Sequence, residues 1–420
     1  MKKVTLALLG AGDRGMNAYG SYALTNPDEA EFVAVATRNK DRRKKFQQLH
    51  GLKDEMCFAS WEELLDRPKL ADAILICTPD RMHFHPAVKA IEKGYHILLE
   101  KPISTDPGEC LKIGEYAQEY DRVFMLCYVL RYTPFFQALK KILDNGKIGR
   151  LISIHYSENV GIMHYAHSFV RGNWRNSEES CPMILSKSCH DMDIFIWLVG
   201  AKCVKVSSFG KLSYFVEANA PKGALSRCLD GCPAKYDCIF YAPDVYLREN
   251  SGFSSTVISV DTSEQGRINA LKDGPYGRCV YKCDNDVVDH QLVNLEFEND
   301  VTISFSMCAF TNECTRTMKL MGTKGEIRAA LDKNELEITD FMSGTREVIH
   351  LNPYQDRHSG GDYGIMQDFI RSINGVGKEL TRVTSAVESH IIAFAAEKSR
   401  RENRVIMIEE YIEELKKQMK

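Results

Sequence analysis

Residues 4–15 read VTLALLGAGDRG, an apolar run that leads into three glycines spaced G-x-G-x-x-G. The run predicts a buried strand, and the residues after it predict a helix. In that setting the first glycine permits a tight turn, the second lets the main chain approach a pyrophosphate, and the third allows close helix packing. The alternative is a glycine-rich turn at a strand end. We predict a dinucleotide-binding loop made by Gly10, Gly12, Asp13, Arg14 and Gly15.

Short apolar runs alternate with helical segments through residues 1–126. Strands are predicted at 4–9, 32–36, 73–77, 96–99 and 123–127. Most of these runs are apolar at consecutive positions, as expected of parallel strands that are buried on both faces. The pattern therefore predicts an α/β domain of βαβ units around a parallel sheet.

The pattern changes in residues 127–420, which we assign to a second domain. Strand-like segments separated by turn residues lie at 151–156, 204–209, 290–297, 301–306, 317–321, 326–330 and 336–339. They predict a large, mainly antiparallel sheet with helices on one face. Residues 211–277 have weak periodicity and many Gly, Pro, Ser and Cys residues. We interpret them as an insertion that packs over the sheet or contacts a neighbour.

The composition limits the classes of function. The chain has 420 residues, a net charge of −3 and 44% hydrophobic residues, which is typical of a soluble globular protein and argues against nucleic-acid binding by bulk charge. No stretch approaches the roughly 18 apolar residues that a membrane helix requires. We expect a cytoplasmic protein with no membrane partner, whose fourteen cysteines are reduced unless some bind a metal.

The end of the second predicted strand bears on the choice of dinucleotide. An NAD-binding chain usually places an acid there for the adenosine ribose, but this sequence reads Ala36-Thr37-Arg38-Asn39. Thr37 and Arg38 would not repel a 2′-phosphate, and a guanidinium can bind one. This favours NADP slightly over NAD, although Arg38 could also stack on adenine or lie in solvent.

The insertion carries a cluster of cysteines. Cys228, Cys232 and Cys238 lie close together in sequence, and Cys279 and Cys283 follow. Three thiolates from one loop and a fourth, Cys283, could hold a tetrahedral zinc ion. The spacing is not the tight C-x-x-C of strong zinc sites, so packing cysteines or a disulfide formed on isolation are the alternatives. An iron–sulfur site is the weakest of these hypotheses.

Five further motifs follow one another along the chain. They are Cys77-Thr78-Pro79-Asp80-Arg81-Met82-His83, Glu100-Lys101-Pro102, Arg131-Tyr132-Thr133-Pro134, Cys189-His190-Asp191-Met192-Asp193 and Met321-Gly322-Thr323-Lys324-Gly325. As an ordered set they resemble the Gfo/Idh/MocA family of oxidoreductases. The resemblance implies a Rossmann domain, a second α/β domain with an open sheet, a nicotinamide cofactor between them, and homodimers or homotetramers formed through the exposed sheet face.

The same resemblance implies roles for particular residues. Lys101 would hydrogen-bond the reacting hydroxyl, His190 would act as acid or base, and Glu100 with Pro102 would shape the nicotinamide pocket. Further cofactor contacts would come from Thr78, Pro79, His83, Arg131, Trp174 and Arg175. Alcohol oxidation independently requires a base for the hydroxyl proton and a cation for the developing alkoxide, which matches His190 and Lys101.

One position departs from the family pattern. Many members have an aspartate four residues before the histidine, but this chain has Ser186, followed by Lys187. Serine cannot act as the carboxylate partner of His190. Either Lys187 lies in the pocket as a second cation or proton-transfer group, or it points outward and the chemistry differs.

Polar residues near these motifs are candidates for substrate binding, because sugar hydroxyls take hydrogen bonds. They are His164, His167, Asp191 and His290, to which Asp362 and His358 could add; a plain surface loop is the alternative for the first two. We therefore expect an NAD(P)-dependent oxidoreductase that moves a hydride to or from a carbinol carbon of a sugar, sugar derivative or cyclitol. A glycosidase that uses NAD for transient C3 oxidation and a non-catalytic dinucleotide sensor are the alternatives.

Overall fold

The structure is a computed structural model that describes residues 1–248, 257–352 and 359–419. A six-stranded parallel sheet forms the first domain, in the order β3-β2-β1-β4-β5-β6. Its strands are β1 (Val4–Leu9), β2 (Ala30–Ala36), β3 (Cys57–Phe58), β4 (Ala73–Ile76), β5 (His96–Leu99) and β6 (Phe124–Leu126). The chain reverses direction along the sheet between β1 and β4, so the loops after these strands meet at the switch point where such sheets bind ligands.

Helices cover the first sheet, and several begin at residues with the expected capping chemistry. A π-helical turn (Arg14–Gly20) leads into α1 (Ser21–Thr25), followed by α2 (Lys40–His50), α3 (Trp61–Leu65), α4 (Phe84–Glu92) and α5 (Pro107–Gln118). The Asn39 side chain accepts the Arg42 N–H at the start of α2, and Asp106 caps α5, whose first residue is Pro107.

A nine-stranded sheet forms the second domain, in the order β14-β13-β12-β11-β7-β10-β9-β8-β15. Its strands are β7 (Leu151–Asn159), β8 (Cys203–Lys211), β9 (His290–Phe297), β10 (Thr302–Cys308), β11 (Thr315–Gly322), β12 (Gly325–Ala330), β13 (Glu335–Asp340), β14 (Arg346–His350) and β15 (Ile406–Met407). Only β7 and β10 pair in parallel; the other neighbours are antiparallel. The predicted fold class is confirmed, with β3, β14 and β15 as strands that the sequence pattern did not predict.

The helices of the second region lie mostly on one face of this sheet. They are α6 (Pro134–Asp144), α7 (Ile162–Tyr165), α8 (Met183–Ser186), α9 (Cys189–Val199), α10 (Ala242–Tyr246), α11 (Glu264–Asp273), α12 (Gly361–Ile373), α13 (Val383–Glu402) and α14 (Ile408–Gln418). Helix α12 is an exception, because Ile365, Met366 and Phe369 pack into the core of the first sheet. The boundary at residue 126 therefore separates the two sheets but does not describe this helix.

Alternation along the strands separates the covered face of the second sheet from its open face. In β9, Gln291, Val293 and Leu295 are buried, whereas His290, Leu292 and Asn294 are exposed. The described part of the insertion packs through aromatic rings, such as Phe215 on Tyr165 at 5.3 Å between centroids. Among the described helices, none is long and apolar enough to cross a membrane.

Candidate active site

The loop after β1 has the shape that a diphosphate requires. Gly10 has φ +93°, and a Cβ there would lie 2.3 Å from the Cys77 carbonyl oxygen on the neighbouring loop. A Cβ on Gly15 would lie 2.3 Å from the Gly10 oxygen, so the first helical turn can approach the strand only without a side chain. At Gly12 no atom lies within 4 Å of the Cβ position. The main chain is therefore open at the point where a phosphate would approach it.

Arg14 belongs to this loop, but its side chain turns toward carboxylates of the protein. Its Nε lies 2.7 Å from Glu100 Oε1, and its terminal nitrogens lie 2.9 and 2.7 Å from the two Asp362 oxygens. The Tyr19 hydroxyl donates to Glu100 Oε1 at 2.6 Å. Burial alone would raise the pKa of Glu100, but the charges of Arg14 and Lys101 outweigh it and lower that pKa. The Arg14 side chain therefore forms ion pairs with Glu100 and Asp362, and the predicted place of Arg14 in the dinucleotide-binding loop stays a prediction.

The residues after β2 lie at the surface. The Thr37 N–H donates to Phe58 O at 3.1 Å, and Arg43 Nη1 donates to Thr37 O at 2.6 Å. Arg38 is exposed, and its side chain forms no ion pair with a described carboxylate. No acidic residue occupies the segment 36–40.

The loop after β4 is tied to the one after β5. Pro79 precedes a short 3-10 turn, and Thr78 Oγ1 donates to Met82 O at 2.9 Å. The ring of His83, 1% exposed, lies between Pro102 O at 2.6 Å and Thr78 O at 2.8 Å. His83 therefore positions these two loops, and its ring nitrogens face the main chain of the protein.

Lys101 reaches from the first domain into the second. Its Nζ donates to the Ser186 carbonyl oxygen at 2.7 Å, and its peptide bond to Pro102 is cis. Ser186 ends α8, Lys187 follows, and His190 lies in the first turn of α9. Lys101 therefore contacts the segment that carries Lys187 and His190, the other two predicted catalytic residues.

Lys187 points inward and belongs to a buried network. Its Nζ lies 3.1 Å from Glu158 Oε1, and Arg316 Nε lies 2.8 Å from Glu158 Oε2. Cross-strand pairing of β7 with β11 sets Glu158 opposite Arg316. Burial raises the pKa of Glu158 against the opposing charges of both cations. The inward alternative for Lys187 matches its contacts.

Asp191 belongs to the same network. It is 0% exposed, lies 2.6 Å from Arg316 Nε, and accepts a hydrogen bond from the Tyr156 hydroxyl at 2.9 Å. These contacts leave it inside the protein. The contacts seen for Asp191 are those that hold Arg316 beside Glu158, and the expectation that Asp191 contacts substrate stays a prediction.

His190 packs against an aromatic and histidine cluster that sequence reasoning missed. Its ring lies 5.5 Å from that of Tyr128. The Tyr128 hydroxyl lies 3.1 Å from Nδ1 of His390 on α13, and His390 Nε2 accepts the Ile103 N–H at 2.9 Å. Burial lowers the pKa of His390 to about 4. His390 thus holds the chain just after the Lys101-Pro102 pair.

Three residues expected at the cofactor make contacts within the protein. Arg131 forms a two-pronged ion pair with Asp193 at 2.7 and 2.6 Å inside the second domain. Trp174 Nε1 donates to Asp80 Oδ2 at 3.0 Å and so joins the domains, whereas Arg175 pairs with Asp284 at 2.7 and 2.8 Å. Carboxylates thus pair with both guanidinium groups, and the cofactor contacts expected of Arg131 and Arg175 stay predictions.

The histidines proposed for substrate binding fall in different places. His164 lies near Lys187, and burial, with the charge of Lys187, lowers its pKa to about 3. His167 is buried against Tyr246 and stacks on Tyr276 at 4.7 Å between centroids. His290 lies on the open sheet face, beside Asp289. Of the three described histidines, His164 is the one whose pKa responds to the charge of a candidate catalytic residue, Lys187, and His358 lies outside the described residues.

Comparison with known proteins identifies the family. The Gfo/Idh/MocA model for an oxidoreductase family with an NAD-binding Rossmann fold matches residues 4–128, and the model for its C-terminal alpha/beta domain matches residues 140–408. The chain belongs to the Gfo/Idh/MocA family of oxidoreductases.

Individual members of this family are more distant. The chain is 23% identical over 343 residues to YteT of Bacillus subtilis (strain 168), named as an oxidoreductase, covering 78% of each chain. It is 27% identical over 214 residues to the scyllo-inositol 2-dehydrogenase (NAD(+)) of that organism, covering 50% of this chain and 58% of the relative. A solved structure of levoglucosan dehydrogenase with NADH superposes with TM-score 0.72 at 17% identity, covering 97% of this chain and 99% of that one. The structural likeness concerns the fold.

The residues present fit the dinucleotide that the first Gfo/Idh/MocA domain is described as binding. The fit rests on the open position at Gly12, the tight turn at Gly10 and the N–H groups of the helical turn that begins at Arg14. The first loop residues are therefore those that would hold its phosphates.

Sequence reasoning missed Glu158. The alternation of side chains along a strand could have found it, because Glu158 shares the buried face of β7 with Ile154 and Tyr156.

Proposed function

We propose that the protein is an NAD(P)-dependent dehydrogenase that transfers a hydride to or from a carbinol carbon of a sugar, sugar derivative or cyclitol. The observation that carries this proposal is the contact of Lys101 Nζ with Ser186 O, because it sets the ammonium against the segment that carries Lys187 and His190. The names of the relatives, an inositol dehydrogenase and levoglucosan dehydrogenase, support a polyhydroxylated substrate.

The residues have distinct roles in this reaction. When bound, the nicotinamide ring supplies the hydride acceptor or donor. Lys101 donates a hydrogen bond to the reacting hydroxyl oxygen and stabilises the alkoxide that develops on it. His190 accepts the hydroxyl proton during oxidation and returns it during reduction. His164, kept neutral at working pH by its lowered pKa, is suited to hydrogen-bond a neighbouring substrate hydroxyl.

Lys187 and Glu158 form the part of the site that replaces the missing aspartate. Their ion pair of 3.1 Å places an ammonium and a carboxylate beside the Ser186 position. Because burial raises the pKa of Glu158, a proton can be held on this pair at a pH at which an exposed glutamate would be fully ionised. We assign to this pair the holding and release of a proton in support of His190.

A substrate panel tests the proposed reaction. The full chain is incubated with NAD⁺ or NADP⁺ and polyols or sugars, and absorbance of the reduced nicotinamide is followed. A net rise that is absent in Lys101→Ala supports the dehydrogenase. Release of a chromogenic aglycone without a net change would support the glycosidase alternative, and dinucleotide binding without either reaction would support the sensor.

Three finer properties belong to the same proposal. We propose that NADP is preferred, supported by the exposed Arg38 and the absence of an acid in segment 36–40. We also propose a homodimer or homotetramer joined through the open sheet face, where Phe209 is 61% exposed. Light scattering on the full chain measures that mass, and a monomer would contradict it. We also propose a cytoplasmic location, where the cysteines that bind no metal would be reduced thiols.

A further inference from the structure

Four cysteines, three of them in the insertion and one just after it, line one small cavity. They are Cys228, Cys232, Cys238 and Cys279. Cys279 is brought there by the bridge between Arg227 and Arg278 and by its N–H bond to Ser226 O at 2.9 Å. Cys283, which the sequence suggested as the fourth ligand, does not line the cavity, and its thiol instead donates to Cys279 O at 3.3 Å. The fold therefore gathers four thiols, with Cys279 in place of Cys283.

A buried cation lines the same cavity. Arg171 is 1% exposed and donates to Cys228 Sγ at 3.6 Å, to Phe240 O at 2.7 Å and to Arg278 O at 2.8 Å. Among the described residues, no carboxylate forms an ion pair with it. A buried charge without a charged partner is costly. The groups around Arg171 that can become anionic are the thiols and the phenol of Tyr246.

A thiol that binds no ligand is mostly uncharged near neutral pH. A bound metal reverses this, because it deprotonates a coordinating thiol outright. Four thiolates around a cationic metal centre carry net negative charge, which would compensate Arg171.

We propose that Cys228, Cys232, Cys238 and Cys279 are the ligands of a thiolate-bound metal centre whose negative charge is balanced by Arg171. Such a centre would order the insertion, where the separate apolar cluster has four buried members among the described residues, one of them Cys228. The same segment supports Tyr246 and Tyr276, which pack on His167. The centre would therefore stabilise one wall of the second domain.

The arrangement of the thiols bears on whether they hold a single metal ion or a cluster. No three His, Cys, Asp or Glu side chains in the described ranges are arranged to hold a single ion, whereas the four thiols surround a cavity. An iron–sulfur cluster takes one thiolate at each iron, so its four sulfur ligands lie farther apart than those of a single ion. A zinc ion would require the four sulfurs to close to about 2.3 Å from it. Both share the four-thiolate chemistry, and their composition distinguishes them.

Metal analysis of the unmodified full chain is the first test. The protein is purified without oxygen and without chelators or an affinity metal, and its iron, zinc and acid-labile sulfide are measured. About four iron and about four sulfide per chain support the proposal as a cluster, and about one zinc without sulfide supports it as a single ion. X-ray absorption at the metal edge should then show sulfur ligands at about 2.3 Å. A chain without stoichiometric metal, or a metal bound mainly through nitrogen and oxygen, overturns the proposal.

Matched variants complete the test. Cys238→Ser and Cys279→Ser should each lose most of the metal, whereas Cys283→Ser, a nearby thiol outside the cavity, should retain it. Circular dichroism and dinucleotide binding report whether each variant is folded, and the analysis of the unmodified chain does not depend on that. Equal metal content in all three variants overturns the ligand assignment.

Discussion

Two buried glutamates, Glu100 in the first domain and Glu158 in the second, differ in the direction of their pKa shift although both face an arginine and lie beside a lysine. The pKa of Glu100 is lowered and that of Glu158 is raised. Glu100 also accepts hydrogen bonds from the Tyr19 hydroxyl at 2.6 Å and from a backbone N–H at 3.1 Å. Glu158 lacks such donors and shares Arg316 with a second carboxylate, Asp191. The hydrogen bonds that Glu100 accepts therefore favour its charged form, and Glu158 has no matching hydroxyl or backbone donor in the part of the chain that the structure describes.

Substitution of the lysines next to these glutamates should give the largest difference in kcat. Lys101→Ala should lower kcat about 10² to 10³-fold, because it removes the donor to the developing alkoxide, while dinucleotide affinity stays within about tenfold. Lys187→Ala should lower kcat about tenfold and shift its pH profile, because Glu158 retains Arg316. Steady-state kinetics and dinucleotide titration measure both, with exposed Lys417→Ala as the control. Equal losses in the two variants would contradict the separate roles.

The glutamates themselves can be compared by neutral replacement. Glu100→Gln should lower the free energy of unfolding by about 2 to 3 kcal/mol, because a charged acceptor of several hydrogen bonds is lost. Glu158→Gln should cost under about 1 kcal/mol, because burial already disfavours its charge, Arg316 keeps Asp191 and Lys187 is 19% exposed. Denaturant unfolding at neutral pH measures both changes. A larger cost for Glu158→Gln would show that it is the fixed charge.

The parts of the site that depend on neighbouring residues in sequence could be predicted. The strand, glycines and helix of residues 4–15 lie on one short segment, and the pattern located them together. The Glu158 and Arg316 pair was not predictable, because it requires the register of β7 against β11. His390 lies 287 positions from Ile103, and its helix shows no motif. The exchange of Cys279 for Cys283 depends on a single backbone bridge.

A buried histidine can be compared with the two glutamates, because burial shifts its pKa as well. His390 has its pKa lowered from an ordinary 6.5 to about 4 by burial. Between these values the unfolded chain binds a proton that the folded chain does not, so stability falls as pH falls. For this one group the loss from pH 7 to pH 5 is about 2 kcal/mol. In His390→Gln the pH-dependent loss should be smaller by that amount, as measured by unfolding at both pH values. An unchanged loss would contradict the buried neutral imidazole.

Two arginines of the first domain differ in their partners, and this difference gives the smallest of the expected effects. Arg14 is committed to Glu100 and Asp362, whereas Arg38 is exposed and free of described carboxylates. Arg38→Asp should lower the ratio of NADP to NAD affinity by about tenfold or more, about 1.4 kcal/mol, because a carboxylate repels a 2′-phosphate and accepts ribose hydroxyls.

Calorimetric titration of the Arg38 variant with both dinucleotides measures this ratio. Arg346→Asp, which makes the same charge change on β14 of the second domain, should leave it unaltered. Because surface charge alone would act on both variants, only a local contact with the phosphate predicts a change confined to Arg38. An unchanged ratio in Arg38→Asp would place its guanidinium away from the ribose and remove the support for an NADP preference.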